Sequence, residues 1–181
     1  MMVESLLPGE VPVSLDEARG WLRMGATIDD AVVAGLVRAA ASICEAFVGQ
    51  WLIVRAGEES LVLRGGTLRL AARPVVAVDA VTLLRPDGAE TVLDADRYRV
   101  TIARDGSARV AIHAAGDAGY ARIAFRAGMA AGPNAVPEAI RQGLLRMIQH
   151  LHAARDGADE TPPAMIAALW QPWRRRTLGG A

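Results

Sequence analysis

Apolar residues recur along the chain with a helical period up to about residue 50, an alternating period to about 126, and a helical period again beyond it. Ser14 followed by Glu17 is a capping box, in which hydroxyl and carboxylate satisfy each other's free backbone donors, and it predicts a helix over 15–24. Leu15, Ala18, Trp21 and Leu22 form its expected buried stripe, weakened slightly by Gly20. Thr27 with Asp30 repeats the capping signal. Beyond it Ile28, Val32, Leu36, Ala40, Ile43 and Phe47 run beside a second row of Val33, Val37, Cys44 and Val48. Two adjacent apolar rows predict a broadly buried helix over 28–49, with Gly49 as its stop.

From Trp51 the period changes to two. Leu61 and Leu63, then Gly65-Gly66, then Leu68 and Leu70 read as a hairpin. A β-branched stretch over 76–84 ends at the turn Pro86-Asp87-Gly88, and shorter alternating runs follow at 98–102, 108–112 and 120–125, the first two joined by Asp105-Gly106. The segment 51–126 therefore reads as an antiparallel section of about five to seven strands. Pro137, placed at a first helical position where its missing donor costs nothing, opens a helix over 137–155 with the stripe Ile140, Leu144, Met147, Ile148 and Leu151. An acidic, Pro-containing linker then leads to AMIAALW, a short fourth helix, and to Gln171-Pro172-Trp173-Arg174-Arg175-Arg176. The fold class is α+β: two N-terminal helices and a long C-terminal helix as a helical core, with a central antiparallel β section. One domain is expected over 1–157, with linker, short helix and tail over 158–181.

At 181 residues and 52% hydrophobic content the chain is long enough for a packed core. The longest uncharged stretch, 161–173, holds three prolines, so no segment is expected to approach the ~18–20 apolar residues that cross a bilayer. The opening MMVESLLPGEVPV lacks a basic n-region and is not expected to be a secretion signal. The lone Cys44 falls at an apolar helical position and is read as core. Charges balance at 20 against 20, every base being arginine, but they are unevenly spread: 1–60 carries nine acids and four arginines, 61–126 seven acids and ten arginines. Neutrality lowers the case for a duplex-binding protein, whose affinity rests mainly on phosphate neutralisation.

Candidate chemistry is sparse. His150 and His152 lie two apart on a helix and diverge, whereas a ligand pair should be three or four apart; with His113 on a strand they read as structural. Asp29-Asp30 reads as helix capping rather than a carboxylate dyad. There is no G-x-S-x-G, Walker loop, H-E-x-x-H or dinucleotide fingerprint, so no catalytic residue, cofactor site or metal site is assigned and an enzyme is not expected. Arg174-Arg175-Arg176 suits either a phosphate contact or a solvated tail. Trp170 and Trp173 put half of the four tryptophans within four residues, and Trp and Arg are the usual interface anchors; the alternative for Trp170 is to pack back on the third helix.

The ordered series PVSLDEARGWLRM, IDDAVVAGLVRAAASICEAFVGQ, RPDGAE, AGPNAVPEAIRQGLLRMIQHLHAARDG and LWQPWRRR resembles the head-tail connector, or adaptor, family of long-tailed bacteriophages and prophages, including the adaptor of alphaproteobacterial gene transfer agents. The resemblance covers nearly the whole chain. It implies a non-catalytic, oligomeric ring, typically dodecameric, assembled in the bacterial cytoplasm into the neck of a virion or gene transfer agent particle. Its implied partners are the portal protein above, a stopper or tail-completion protein below, and double-stranded DNA passing without specific binding; no cofactor and no membrane are implied. Carried over by residue, Leu169, Trp170, Pro172, Trp173, Arg174, Arg175 and Arg176 become the portal-facing anchor, and the helices 28–48 and 137–155 the core and ring contacts. The competing readings are a stopper or tail-completion protein of the same neck, and a DNA-binding packaging protein. Asp29, Asp30 and Glu45 on the second helix oppose the latter.

Overall fold

A computed structural model describes residues 2–5, 10–23, 30–153 and 161–175. Among these, four α-helices and two antiparallel sheets make an α+β chain. The chain divides into two compact units, a helical one built from Glu10–Ile53 with Ala130–Ala181 and a β one built from Met1–Gly9 with Val54–Met129. The segment read from sequence as a tail beyond residue 157 thus groups, where described, with the helices.

In the helical unit, α1 (Leu15–Leu22) opens on the expected box: the Glu17 amide donates to Ser14 Oγ at 3.2 Å, and the Ser14 amide to Glu17 Oε2 at 2.8 Å. It stops two residues short of the expected end because Arg23 adopts the left-handed conformation (φ 53°) and its amide turns back to the Arg19 and Gly20 carbonyls. The second helix, α2 (Asp30–Val48), ends at Gly49, whose φ of 68° suits glycine, and the amides of Gly49 and Gln50 both return to the Glu45 carbonyl. The Thr27 cap, Ile28 and Asp29 lie outside the described residues. The third, α3 (Glu138–Ala153), starts one residue later than expected: Pro137 is the cap, and its carbonyl accepts from Ile140 and Arg141. The short α4 spans Ala164–Trp170.

The expected two-row burial of α2 is corrected. Val33, Val37, Ala40, Cys44 and Val48 are fully buried, but Val32 is 52% exposed, because α1, α3 and α4 cover one side of the helix. Trp21 is likewise no core residue: it stays partly exposed, and its Nε1 donates to Gln149 Oε1 at 3.1 Å, bridging α1 to α3. Arg141 on α3 pairs with Glu17 and donates to the Pro12 carbonyl at 2.6 Å, tying the segment before α1 to the same helix. The membrane expectation is also corrected. By length and composition α2 is apolar enough to cross a bilayer, since a helix tolerates scattered charges such as Arg38 and Glu45. Its buried stripe nonetheless packs it as an element of the helical unit.

The β unit holds β1 (Met2–Ser5), β2 (Arg55–Val62), β3 (Thr67–Arg69), β4 (Val75–Leu84), β5 (Glu90–Val92), β6 (Tyr98–Ile102), β7 (Ala108–Ile112) and β8 (Tyr120–Ala127). They form a five-stranded sheet in the order β1-β2-β8-β4-β5 and a three-stranded sheet in the order β3-β7-β6. β8 is central, with Ala121, Ile123, Phe125 and Ala127 buried on one face while Arg122 and Arg126 pair on the other with Glu58, Glu90 and Asp79. The expected hairpin across Gly65-Gly66 is not formed. β2 pairs with β1 and β8, β3 pairs with β7, and the glycine turn carries the chain from one sheet to the other. The residues flanking that turn bond elsewhere, the Leu63 amide to Gly119 and the Ile112 amide to the Gly66 carbonyl.

Candidate functional site

The C-terminal phrase forms a strap across the end of α2, and its position follows from one notch in α3. Gly143 lies mid-helix, where glycine costs about 1 kcal/mol relative to alanine, and the indole of Trp170 fills the space above it: a Cβ there would stand 2.1 Å from Trp170 Nε1. Trp170 is fully buried, donates Nε1 to the Ile140 carbonyl at 3.3 Å, and tilts against Phe47 with ring centroids 5.9 Å apart. Of the two places open to it in the sequence, Trp170 occupies the one against the third helix.

The next residues turn over this aromatic pair in a single 3-10 turn, Gln171–Trp173. The Arg174 guanidinium sits over the Phe47 ring, 5.0 Å from its centroid, a cation–π contact. The Arg175 amide donates to the Val48 carbonyl at 2.9 Å, satisfying an acceptor that the end of α2 leaves free. Buried Gln50 donates to the Trp173 carbonyl at 2.6 Å. Glu45 accepts from the Leu52 amide at 2.8 Å and fixes the chain just past the helix. The strap is therefore held by its backbone, by Trp170 and by the Arg174–Phe47 contact, with Pro172 and Trp173 (38% exposed) facing outward, Arg174 exposed over Phe47, and Leu169 and Arg175 half-buried. Arg176 lies outside the described residues. The signal for the notch was present in IRQGLLR, where a glycine interrupts an otherwise strong helix.

His113 is exposed and His150 and His152 half-buried, and among the described residues no three His, Cys, Asp or Glu side chains converge on a metal position. Cys44 is buried beside Glu45, and both effects push its thiol well above the ordinary range, so it is a poor nucleophile.

Several solved chains share this architecture. One, from the neck of an empty GTA particle computed with C6 symmetry, is 28% identical with a TM-score of 0.77, and the match covers 99% of each chain. A second, from the virion of a native gene transfer agent particle, is 29% identical at a TM-score of 0.74, and a third, from the neck of a native GTA particle computed with C12 symmetry, 26% at 0.75, both again over 99% of each chain. Over nearly its whole length the chain is thus similar in sequence and fold to neck chains of gene transfer agent particles. No family model and no curated protein matches the sequence. The strap sets an exposed tryptophan beside an exposed arginine at adjacent positions, which makes it a place to look for a partner contact.

Proposed function

We propose that this neck protein is the adaptor, a ring of twelve copies that seats under the portal, extends the DNA channel and joins head to tail. The observation that carries the reading is the match over 99% of both chains to neck chains computed with C6 and C12 symmetry. Two features of the chain support it. The face of α2 that carries Val32, Ala39 and Ala46 is apolar and exposed, which suits contact with a neighbouring copy in a closed, head-to-tail ring. Trp173 and Arg174 project from a strap whose backbone is already tied down, so they can bind without the ordering cost of a free tail.

Burial of Trp170 dictates the experiment, because a truncation after Pro163 would remove a core residue along with the contact. The full chain carrying Trp173→Ala with Arg174→Glu should lose only about 1 kcal/mol of stability, the worth of the Arg174–Phe47 contact, yet at least about tenfold in affinity for the portal protein encoded in the same gene cluster, as expected for an interface anchor. Negative-stain images should show the wild type as a ring capping the portal. Undiminished capping by the variant would reject the strap as the anchor. Binding by the wild type to a tail-side protein, with none to the portal, would reject the adaptor position in favour of a stopper.

A further inference from the structure

The outward face of the three-stranded sheet is built against its own stability. Strand alternation and register put Thr67 and Arg69 of β3, Arg109 and Ala111 of β7, and Arg99 and Thr101 of β6 on one face, while Leu68, Ala108, Val110 and Ile112 are buried on the other. Arg69 is the direct cross-strand partner of Arg109, and Arg109 in turn faces Thr101, which places Arg99 diagonally beside it. Direct partners stand about 4.5–5.5 Å apart at Cβ and diagonal ones about 7–8 Å, and like charges so placed destabilise a sheet. All three arginines are exposed, the six outward positions include no carboxylate, and none of the ion pairs found among the described residues involves Arg69, Arg99 or Arg109. The contrast lies in the same unit: Arg85, Arg122 and Arg126 each pair with an acid.

We infer that this face is a phosphate-contacting surface for duplex DNA. A face that meets another protein is expected to set its arginines around an aromatic or methionine core, and none of the six outward residues is aromatic or methionine. Threonines and arginines at a three-strand spacing of about 4.8 Å supply instead the donors that duplex binding takes from side chains, directed at the backbone and indifferent to base sequence. Three arginines per copy make the contact weak, so DNA is guided and still slides. The cross-strand repulsion is relieved when phosphates bind between the guanidinium groups. The inference goes beyond the adaptor assignment and does not depend on which layer of the neck the protein occupies.

The test is fluorescence anisotropy of the full chain with a labelled duplex of arbitrary sequence, for wild type, Arg69→Gln/Arg99→Gln/Arg109→Gln, and Arg85→Gln as a control. Wild-type affinity should be independent of duplex sequence and fall by about 40-fold between about 50 and 200 mM salt, the value for some three neutralised phosphates. The triple variant should bind at least about tenfold more weakly at the lower salt, lose most of that salt dependence, and melt no lower than the wild type, because a repulsive pair has been removed. Arg85→Gln should bind as the wild type does. No binding by the wild type at low salt, equal binding by the triple variant, or a loss caused only by changing Arg174 and Arg175 would overturn the inference. Equally tight binding of a polyglutamate peptide would overturn it in favour of an acidic protein partner. Because portal capping is scored separately, failure here is distinguishable from failure of the adaptor reading.

Discussion

Trp170 and Trp173 lie three residues apart and have opposite fates, and the difference rests on Gly143. Replacing Trp170 by alanine should lower stability by about 3–5 kcal/mol, as for other buried aromatics, whereas Trp173→Ala should leave the melting temperature nearly unchanged. Gly143→Ala is the sharper check: helix propensity favours it by about 1 kcal/mol, but overpacking against the indole costs about 1–3 kcal/mol, so net destabilisation in chemical unfolding is expected. A second residue, Glu59, is fully buried, with Oε2 accepting from the Ala71 amide at 2.9 Å and Oε1 without a partner. Burial raises its carboxyl above the ordinary 4.5, only partly offset by the backbone amides. As pH rises from 4.5 through that raised value, the folded chain holds a proton that the unfolded chain has released, so this group's contribution to stability falls. Calorimetry of Glu59→Gln against wild type should show that decline in the wild type alone.

At the scale of elements, the helices were largely legible because each carries a local signal. The Ser14–Glu17 box, the stop at Gly49 and the apolar stripe of α3 all depend on residues within a few positions of one another. Ser14→Ala should cost about 1 kcal/mol in thermal unfolding, the usual worth of such a cap. The carboxyl of Glu17 is lowered chiefly by the Ser14 amide, with Arg141 adding to it, so that its contribution is present above 4.5 and lost as pH falls, opposite in sign to Glu59. Strand positions were legible for the same local reason, and 98–102 and 108–112 form β6 and β7. Strand partners were not. The Gly65-Gly66 turn looks the same whether the chain doubles back or changes sheets, and β1 is a four-residue strand with too few positions to show a period. The strap was half legible: its residue types signalled an interface, but the burial of Trp170 depends on a glycine 27 positions earlier.

For the whole molecule, the consequence of the two units is a division of labour. The helical unit carries the strap and the uncovered face of α2, and the β unit carries the unpaired arginines. Val32→Glu, on the exposed side of α2, should leave the unfolding free energy of the isolated chain within about 0.5 kcal/mol of wild type, as for surface changes generally, while abolishing rings in negative stain. Rings formed undiminished by that variant would place the subunit contact elsewhere. The order of segments within the helical unit also bears on biosynthesis. Its longest described helix, α2, is complete at Val48, but α3, its main packing partner, begins only at Glu138, after the whole β section. At roughly 5–20 residues per second, a nascent chain would hold the stripe of Val33, Val37, Ala40 and Cys44 covered by no more than α1 for about 5–18 s before α3 emerges. Such a ribosome-bound intermediate is a client for a holdase chaperone, so the yield of this protein should depend on chaperone supply more than its finished stability would suggest.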